Sequence, residues 1–151
     1  AVAIAKQLIL DGADIVTDTN MALAGINKKI LASFGGEAHC FMADEDVAKI
    51  AKERQVTRAT VSMEKAAQLK KPVIFAVGNA PTALMELHKM MSEGVYRPAF
   101  IIGVPVGFVN VVSAKELIIK TDVPYIINRG RKGGSNVAAA ICNAILYQLR
   151  R

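Results

Sequence analysis

The stretch "PVIFAVGNAPTALMELHKMMSEG", residues 72–94, decides the fold of this chain. Its first part, 72–78, is almost entirely apolar, which is the composition of a strand that is buried on both faces. A turn containing Asn79 and Pro81 then leads into an amphipathic helical pattern over 80–94. A buried strand that runs directly into a helix is the repeating unit of a parallel sheet.

The same alternation runs through the rest of the chain. Other apolar, β-rich runs lie at 13–18, 37–43, 98–105 and 124–130, and helical patterns lie at 44–55, 57–70, 113–121 and 135–151. This order predicts one α/β domain over residues 1–151, with a doubly wound, mainly parallel sheet and helices on both faces. The chain opens at Ala1 in what reads as the middle of a helix without an N-cap, so we expect a domain truncated at its amino terminus.

The composition favours a cytoplasmic protein. Hydrophobic residues make up 52% of the 151 residues, but no apolar run reaches the roughly 18 residues that cross a bilayer, and no secretory leader opens the chain. Cys40 and Cys142 lie far apart in apolar segments, so we expect two buried, reduced thiols. The net charge is +6, yet five Phe, three Tyr and no Trp leave few platforms on which nucleic-acid bases could stack. A basic solvated surface or a small polyanionic ligand accounts for the charge equally well.

Polar and glycine-rich turns follow four of the predicted strands. They lie at 18–21, 78–82, 103–107 and 129–135. The carboxyl ends of parallel strands meet at one edge of a sheet, and ligands of open α/β sheets bind there. The sequence therefore predicts that the four turns converge on one binding site.

The turn at 129–135 is the most informative of the four. Arg129, Arg131 and Lys132 place three cations within four residues, and the following Gly133-Gly134-Ser135 exposes backbone donors before a helix. A solvated loop is one reading, but an anion-binding loop is favoured, because arginine can bind a carboxylate through two parallel hydrogen bonds.

The remaining turns leave alternatives open. Pro81 is an ordinary first residue of a helix, but Asn79 and Thr82 would lie beside free N–H groups that attract a carboxylate or amide oxygen. The segment 103–107 is either a flat apolar wall for a ligand or a tight turn. Arg58 follows the predicted helix cap Thr57, at a position where a cation opposes the helix dipole, and it is either functional or an ordinary surface arginine.

Nucleotide binding is disfavoured, and no catalytic constellation is apparent in the sequence. The turn after 72–78 lacks the second glycine of a dinucleotide fingerprint, and "GRKGGS" lacks Walker A spacing. We expect His39 to lie in the core or at a sheet edge and His88 to face solvent. With no Ser-His-Asp, paired-carboxylate or metal-ligand pattern apparent, the sequence assigns no catalytic residue, no metal site and no cofactor.

The motifs together resemble the precorrin-8X methylmutase family, which includes the cobalt-precorrin-8 methylmutases. The resemblance covers essentially the whole chain and is carried by "DTNMALAGI" (18–26), "TRATVSMEKA" (57–66), "VGNAPTAL" (77–84), "GVPVGFV" (103–109), "AKE" (114–116) and "RGRKGGS" (129–135). It implies a flavodoxin-like, three-layer α/β fold and a homodimer. It also implies an isomerase of cobalamin biosynthesis that moves a methyl group from C11 to C12 of the macrocycle without a cofactor, giving hydrogenobyrinic acid or its cobalt form.

The resemblance further implies which residues bind the corrinoid polycarboxylate substrate. They are Asp18, Asn20, Met21, Thr57, Arg58, Asn79, Pro81, Thr82, Pro105, Gly107, Phe108, Arg129, Arg131, Lys132, Gly133, Gly134 and Ser135. The histidine to which the family's proton transfer is attributed precedes the helix that opens this chain, and neither His39 nor His88 matches it. The chain is then either a fragment, which we favour, or a protein that binds corrinoids without isomerising them.

Overall fold

A computed structural model describes residues 1–107 and 109–150 and contains a five-stranded sheet in which every strand is parallel to its neighbours. In chain order the strands are β1 Asp14–Thr17, β2 Ala38–Cys40, β3 Val73–Val77, β4 Phe100–Gly103 and β5 Tyr125–Ile127. Their spatial order is β2-β1-β3-β4-β5. The chain reverses its direction of winding between β1 and β3, which is the position at which folds of this strand order bind ligands.

Eight helices cover the two faces of the sheet in the described residues. They are α1 Val2–Leu10, α2 Asn20–Gly25, α3 Lys28–Ser33, α4 Glu45–Arg54, α5 Arg58–Ala66, α6 Pro81–Ser92, α7 Val111–Ile119 and α8 Ser135–Leu149. None of these helices has the length and apolar character needed to cross a bilayer.

Strand β3 shows how the sheet separates two apolar cores. Val73, Phe75 and Val77 pack into one core with side chains of α5, α6 and α7. Ile74 and Ala76 point to the other face and join a second core with side chains of α1, α3 and α8. Successive strand residues face opposite sides of the sheet, so a strand that is apolar throughout is buried on both faces. The predicted doubly wound, three-layer arrangement is confirmed.

Two of these helices, α2 and α3, were not predicted from the sequence. Helices α2 and α3 have six residues each, too short for a clear apolar period. Their first turns are fixed by side-chain caps: the oxygens of Thr19 and Asn27 accept hydrogen bonds from the N–H groups of Ala22 and Ile30. These cap residues were the available sequence signal, but Thr19 lies in the segment 18–21, which was predicted to be a turn.

Several predicted segments were also too long. The apolar run 37–43 forms a strand only over Ala38–Cys40, and the helix predicted over 57–70 ends at Ala66. Cys142 is buried and free as expected, whereas Cys40, on the edge strand β2, is free but only half-buried. An edge strand lacks a neighbour on one side, which explains its partial exposure.

Candidate substrate site

Asp18 joins the turns that follow β1 and β3. Its Oδ1 accepts a hydrogen bond from the N–H of Gly78 at 2.8 Å, and its Oδ2 accepts from Asn79 at 2.9 Å and Ala80 at 2.6 Å. Asp18 is completely buried. Burial raises the pKa of this carboxyl group, and the three amide donors act in the opposite direction.

This arrangement corrects one expectation about the 78–82 turn. The N–H groups predicted to await a carboxylate of the ligand are bound to the protein's own carboxylate instead. Asp18 is therefore not exposed to a ligand. It fixes the conformation of the turn that contains exposed Asn79 and half-buried Pro81.

The same region contacts the start of α8 through a glycine. A Cβ atom on Gly78 would lie 2.7 Å from both the carbonyl oxygen of Gly134 and the Cα of Ser135. Beside this contact, the hydroxyl groups of Thr19 and Ser135 share a hydrogen bond of 2.8 Å. Three of the four predicted turns thus meet directly.

The fourth turn, after β4, is bound to the loop 129–135 by backbone hydrogen bonds. The N–H of Gly134 donates to the carbonyl of Val104 at 2.9 Å, and the N–H of Gly107 donates to that of Arg131 at 3.1 Å. Gly133 has φ +156°, and a Cβ atom there would lie 2.0 Å from the carbonyl oxygen of Val104. Only glycine fits at this approach, so Gly133 has a steric reason, whereas a Cβ atom on Gly134 would meet nothing within 4 Å.

Lys115 holds the same loop from inside the protein. This lysine is 1% exposed, and its Nζ donates to the carbonyl oxygens of Gly130 at 2.8 Å and Lys132 at 3.1 Å. Burial lowers the pKa of its ammonium group. The sequence analysis assigned no role to Lys115. The available signal was its position next to Ala114 in a largely apolar helix, both residues being buried.

Exposed side chains line the rim formed by these turns. Asn20, Met21, Asn79, Arg129, Arg131 and Lys132 are all exposed, and Arg131 also interacts within the protein. Thr57 caps α5 by accepting from the N–H of Thr60, and its hydroxyl hydrogen-bonds that of Thr82 at 3.2 Å. That bond brings exposed Arg58, the first residue of α5, to the start of α6.

The contacts therefore connect all four predicted turns and Thr57. In the segment 103–107, Pro105 is buried and Val106 is exposed. Phe108, predicted to bind the substrate, lies outside the described residues.

Comparison with known sequences decides the family. The sequence model of the precorrin-8X methylmutase family matches residues 1–148. The chain belongs to this family. It is 48% identical over 139 residues to the cobalt-precorrin-8 methylmutase of Salmonella typhimurium, with 90% of this chain and 63% of that protein covered.

Other members of the precorrin-8X methylmutase family agree. The cobalt-precorrin-8 methylmutase of Priestia megaterium is 45% identical over 139 residues, which cover 92% of this chain and 62% of that protein. The chain thus spans somewhat under two thirds of the length of these two relatives. The crystal structure of precorrin-8X methyl mutase from Thermus thermophilus is similar with a TM-score of 0.87 at 36% identity, covering 97% of this chain and 72% of that one.

Both histidines of this family member lie away from the rim. His39 lies on the edge strand β2, as predicted, and its Nε2 is 3.0 Å from Oδ2 of Asp14, the first residue of β1. His88 is half-buried and lies seven residues into α6 from Pro81, about 10 Å along the helix axis from the rim.

A pair of interacting carboxyl groups, which no pattern in the sequence revealed, connects α5 and α6. Glu64 on α5 and Glu86 on α6 lie close enough for each to affect the pKa of the other. Glu86 is 7% exposed, and burial together with Glu64 raises its pKa to about 7. Arg54 hydrogen-bonds both oxygens of Glu64 and lowers its pKa. Since the two glutamates come from different helices, their spacing in the sequence did not reveal the pair.

Proposed function

We propose that this chain acts as a precorrin-8X or cobalt-precorrin-8 methylmutase, the isomerase that moves a methyl group from C11 to C12 of the macrocycle. The observation that carries the proposal is a contact-connected rim of four turns, within a chain of the methylmutase family. The product is hydrogenobyrinic acid, or cobyrinic acid when the ring already holds cobalt.

The chemistry of the rim suits such a substrate. A corrin-type macrocycle has flat apolar faces and a fringe of carboxylates. Exposed Arg129, Arg131 and Lys132 supply cations for the fringe, while Met21 and Val106, which are 65% and 45% exposed, supply apolar surface for a face of the ring. Arginine suits the task because its planar guanidinium group can hold both oxygens of one carboxylate.

The positions of the histidines favour a second candidate function, that of a corrinoid-binding protein without isomerase activity. A histidine is the natural donor for proton transfer near neutral pH. His39 is hydrogen-bonded to Asp14 at the opposite end of β1, and His88 lies about two turns down α6. Neither one is placed to protonate a ring that is held by the rim.

One experiment separates the two candidates. The 151-residue chain is incubated with precorrin-8X, and the visible spectrum is followed for the chromophore of hydrogenobyrinic acid. Conversion faster than in a sample without protein supports the isomerase. Binding of hydrogenobyrinic acid without conversion of precorrin-8X supports the corrinoid-binding protein, and failure to bind either compound overturns both.

The remaining properties belong to the same proposal. The chain forms a homodimer in the cytoplasm, requires no cofactor, and binds neither nucleic acid nor a membrane. Resemblance to the family supports the homodimer, and the scarcity of aromatic residues argues against a nucleic-acid partner. Sedimentation equilibrium would test the dimer, since a single species with the mass of one chain at micromolar concentration contradicts it.

A further inference from the structure

We propose that Lys115 is a positioning residue of the candidate substrate site, and that its buried ammonium group, by binding the carbonyl of Lys132, helps to turn the backbone N–H group of Gly133, next to that of Lys132, toward a carboxylate of the ligand. The inference rests on the proposed function, because the carboxylate is one of those that fringe the corrinoid.

The orientation of three successive peptide groups supports it. The carbonyl oxygen of Gly130 accepts from Lys115, that of Arg131 from the N–H of Gly107, and that of Lys132 from both Lys115 and the side-chain amide of Asn128. A trans peptide group directs its N–H opposite to its C=O, and the described chain has no cis peptide bond. The N–H groups of Lys132 and Gly133 consequently point away from the donors that bind the carbonyls.

These two N–H groups are available to a ligand. Within residues 1–107 and 109–150, neither of them donates to a protein atom. Successive backbone N–H groups that are not bound within the protein can form a concavity that binds anions. Gly133, at φ +156°, lies in this loop.

Asn128 binds the carbonyl of Lys132 but leaves its own side-chain oxygen without a hydrogen bond within the ranges that the structure describes. Its Nδ2 donates to Lys132 at 2.7 Å, while its buried Oδ1 has no hydrogen-bond partner among the described residues. A buried acceptor without a donor is unfavourable. The side chain is therefore oriented for the carbonyl of Lys132 rather than for its own full set of hydrogen bonds.

The charge of Lys115 has no acidic partner in the described part of the chain. Its hydrogen-bond acceptors are both carbonyl oxygens, and it forms no ion pair there. Burying an ammonium group costs more than burying an apolar side chain of similar volume. Packing alone does not explain a lysine here, whereas a positive charge behind two outward N–H groups strengthens their attraction for an anion.

The first test compares two ligands on the same variants. The 151-residue chain, Lys115→Met and Lys115→Arg are titrated with cobyrinic acid and with the same corrin whose side chains are fully amidated. We expect Lys115→Met to bind cobyrinic acid about tenfold more weakly and the amidated corrin less than about twofold more weakly, because hydrogen bonds to charged groups are roughly twice as strong. Lys115→Arg, which keeps the charge, should recover part of the loss. Equal losses for both ligands indicate a merely structural lysine and overturn the inference, as does no loss.

A second variant covers the case in which Lys115→Met does not fold. Lys115→Gln keeps a hydrogen-bond donor but removes the charge, so a loss confined to cobyrinic acid supports the inference, and unchanged affinity overturns it.

A third measurement needs no ligand and separates this inference from the proposed function. The amide ¹⁵N–¹H signals of Lys132 and Gly133 are compared between the parent and the neutral variants. Shifted signals and altered hydrogen exchange support the positioning role, and unchanged signals contradict it. If the parent binds neither corrin, the proposed function and the carboxylate part of the inference fall, while the amide signals still decide whether Lys115 sets the loop.

Discussion

Two buried aspartates lie at opposite ends of β1 and have different hydrogen-bond partners. Asp14, at the amino end, accepts from the N–H of Glu37 and also contacts two side-chain bases: Nζ of Lys71 lies 2.7 Å from Oδ1, and Nε2 of His39 lies 3.0 Å from Oδ2. Asp18, just past the carboxyl end, accepts only from backbone N–H groups in the turn after β3.

The pKa values of the two carboxyl groups move apart as a result. Burial alone would raise the pKa of Asp14, but the hydrogen bonds from Lys71 and His39 outweigh it and the pKa is lowered. For Asp18 burial dominates and the pKa is raised, although the amide donors oppose the shift. At the amino end of β1, the ammonium group of Lys71 stabilises the charged form of a buried carboxyl group. At the carboxyl end, Asp18 fixes the turn after β3 through hydrogen bonds from backbone N–H groups.

The largest expected effect comes from removing Asp18. Asp18→Ala leaves three amide donors without an acceptor in or near a buried turn, so we expect the free energy of unfolding to fall by about 4 kcal/mol. Asp14→Asn is the matched change at the other end and should cost about 2 kcal/mol, because the side chains it releases can reach water. Urea unfolding measures both. A larger loss for Asp14→Asn would contradict the comparison.

The close approach at Gly133 gives the next largest effect. Gly133→Ala forces a Cβ atom against the backbone of Val104 and occupies an unfavourable φ, so we expect a loss of about 3 kcal/mol. Gly130→Ala is the control, because φ is +89° but a Cβ atom there meets nothing within 4 Å. It should cost only the conformational strain of about 1 to 2 kcal/mol. Equal losses in thermal unfolding would show that steric contact at Gly133 does not matter.

The fold could be predicted because its signals are local. Five apolar runs alternating with helical patterns suffice for a parallel sheet, and the rule that ligands bind at the carboxyl ends of strands brought four separate turns together. The contacts within that rim were not predictable in the same way. Asp18 is 60 residues from Gly78, and Lys115 is 15 from Gly130, so each pairing depends on the register of the assembled sheet.

The Glu64–Glu86 pair yields a pH prediction for a region that neither aspartate touches. The pKa of Glu86 is raised to about 7 in the folded state, so folding favours its protonated form. Its contribution is fully present below its ordinary pKa of 4.5 and is lost as the pH rises toward 7. Glu86→Gln removes this loss.

We expect Glu86→Gln to be more stable than the parent at pH 8 by about 1 to 2 kcal/mol, and nearly equal to it at pH 5. Thermal unfolding between pH 5 and 8 measures the difference. Glu53→Gln, which removes an exposed carboxylate from α4, is the control and should leave the pH dependence of the stability unchanged. A Glu86→Gln variant whose stability follows the parent at every pH contradicts the assignment.

The smallest expected effect is a change in ligand affinity when the arginines of the loop 129–135 are removed. In the double variant Arg129→Ala, Arg131→Ala, we expect affinity for hydrogenobyrinic acid to fall about fivefold, with a weaker dependence on salt, because contacts between exposed charges are modest and screened. Lys49→Ala, Lys52→Ala removes the same charge from exposed positions on α4 and should leave affinity unchanged at 0.15 M salt. If the two double variants lose affinity equally, the net charge of +6 attracts the ligand and the loop has no special part in binding it. If only the loop variant loses affinity, the arginines of the loop 129–135 contact the ligand directly.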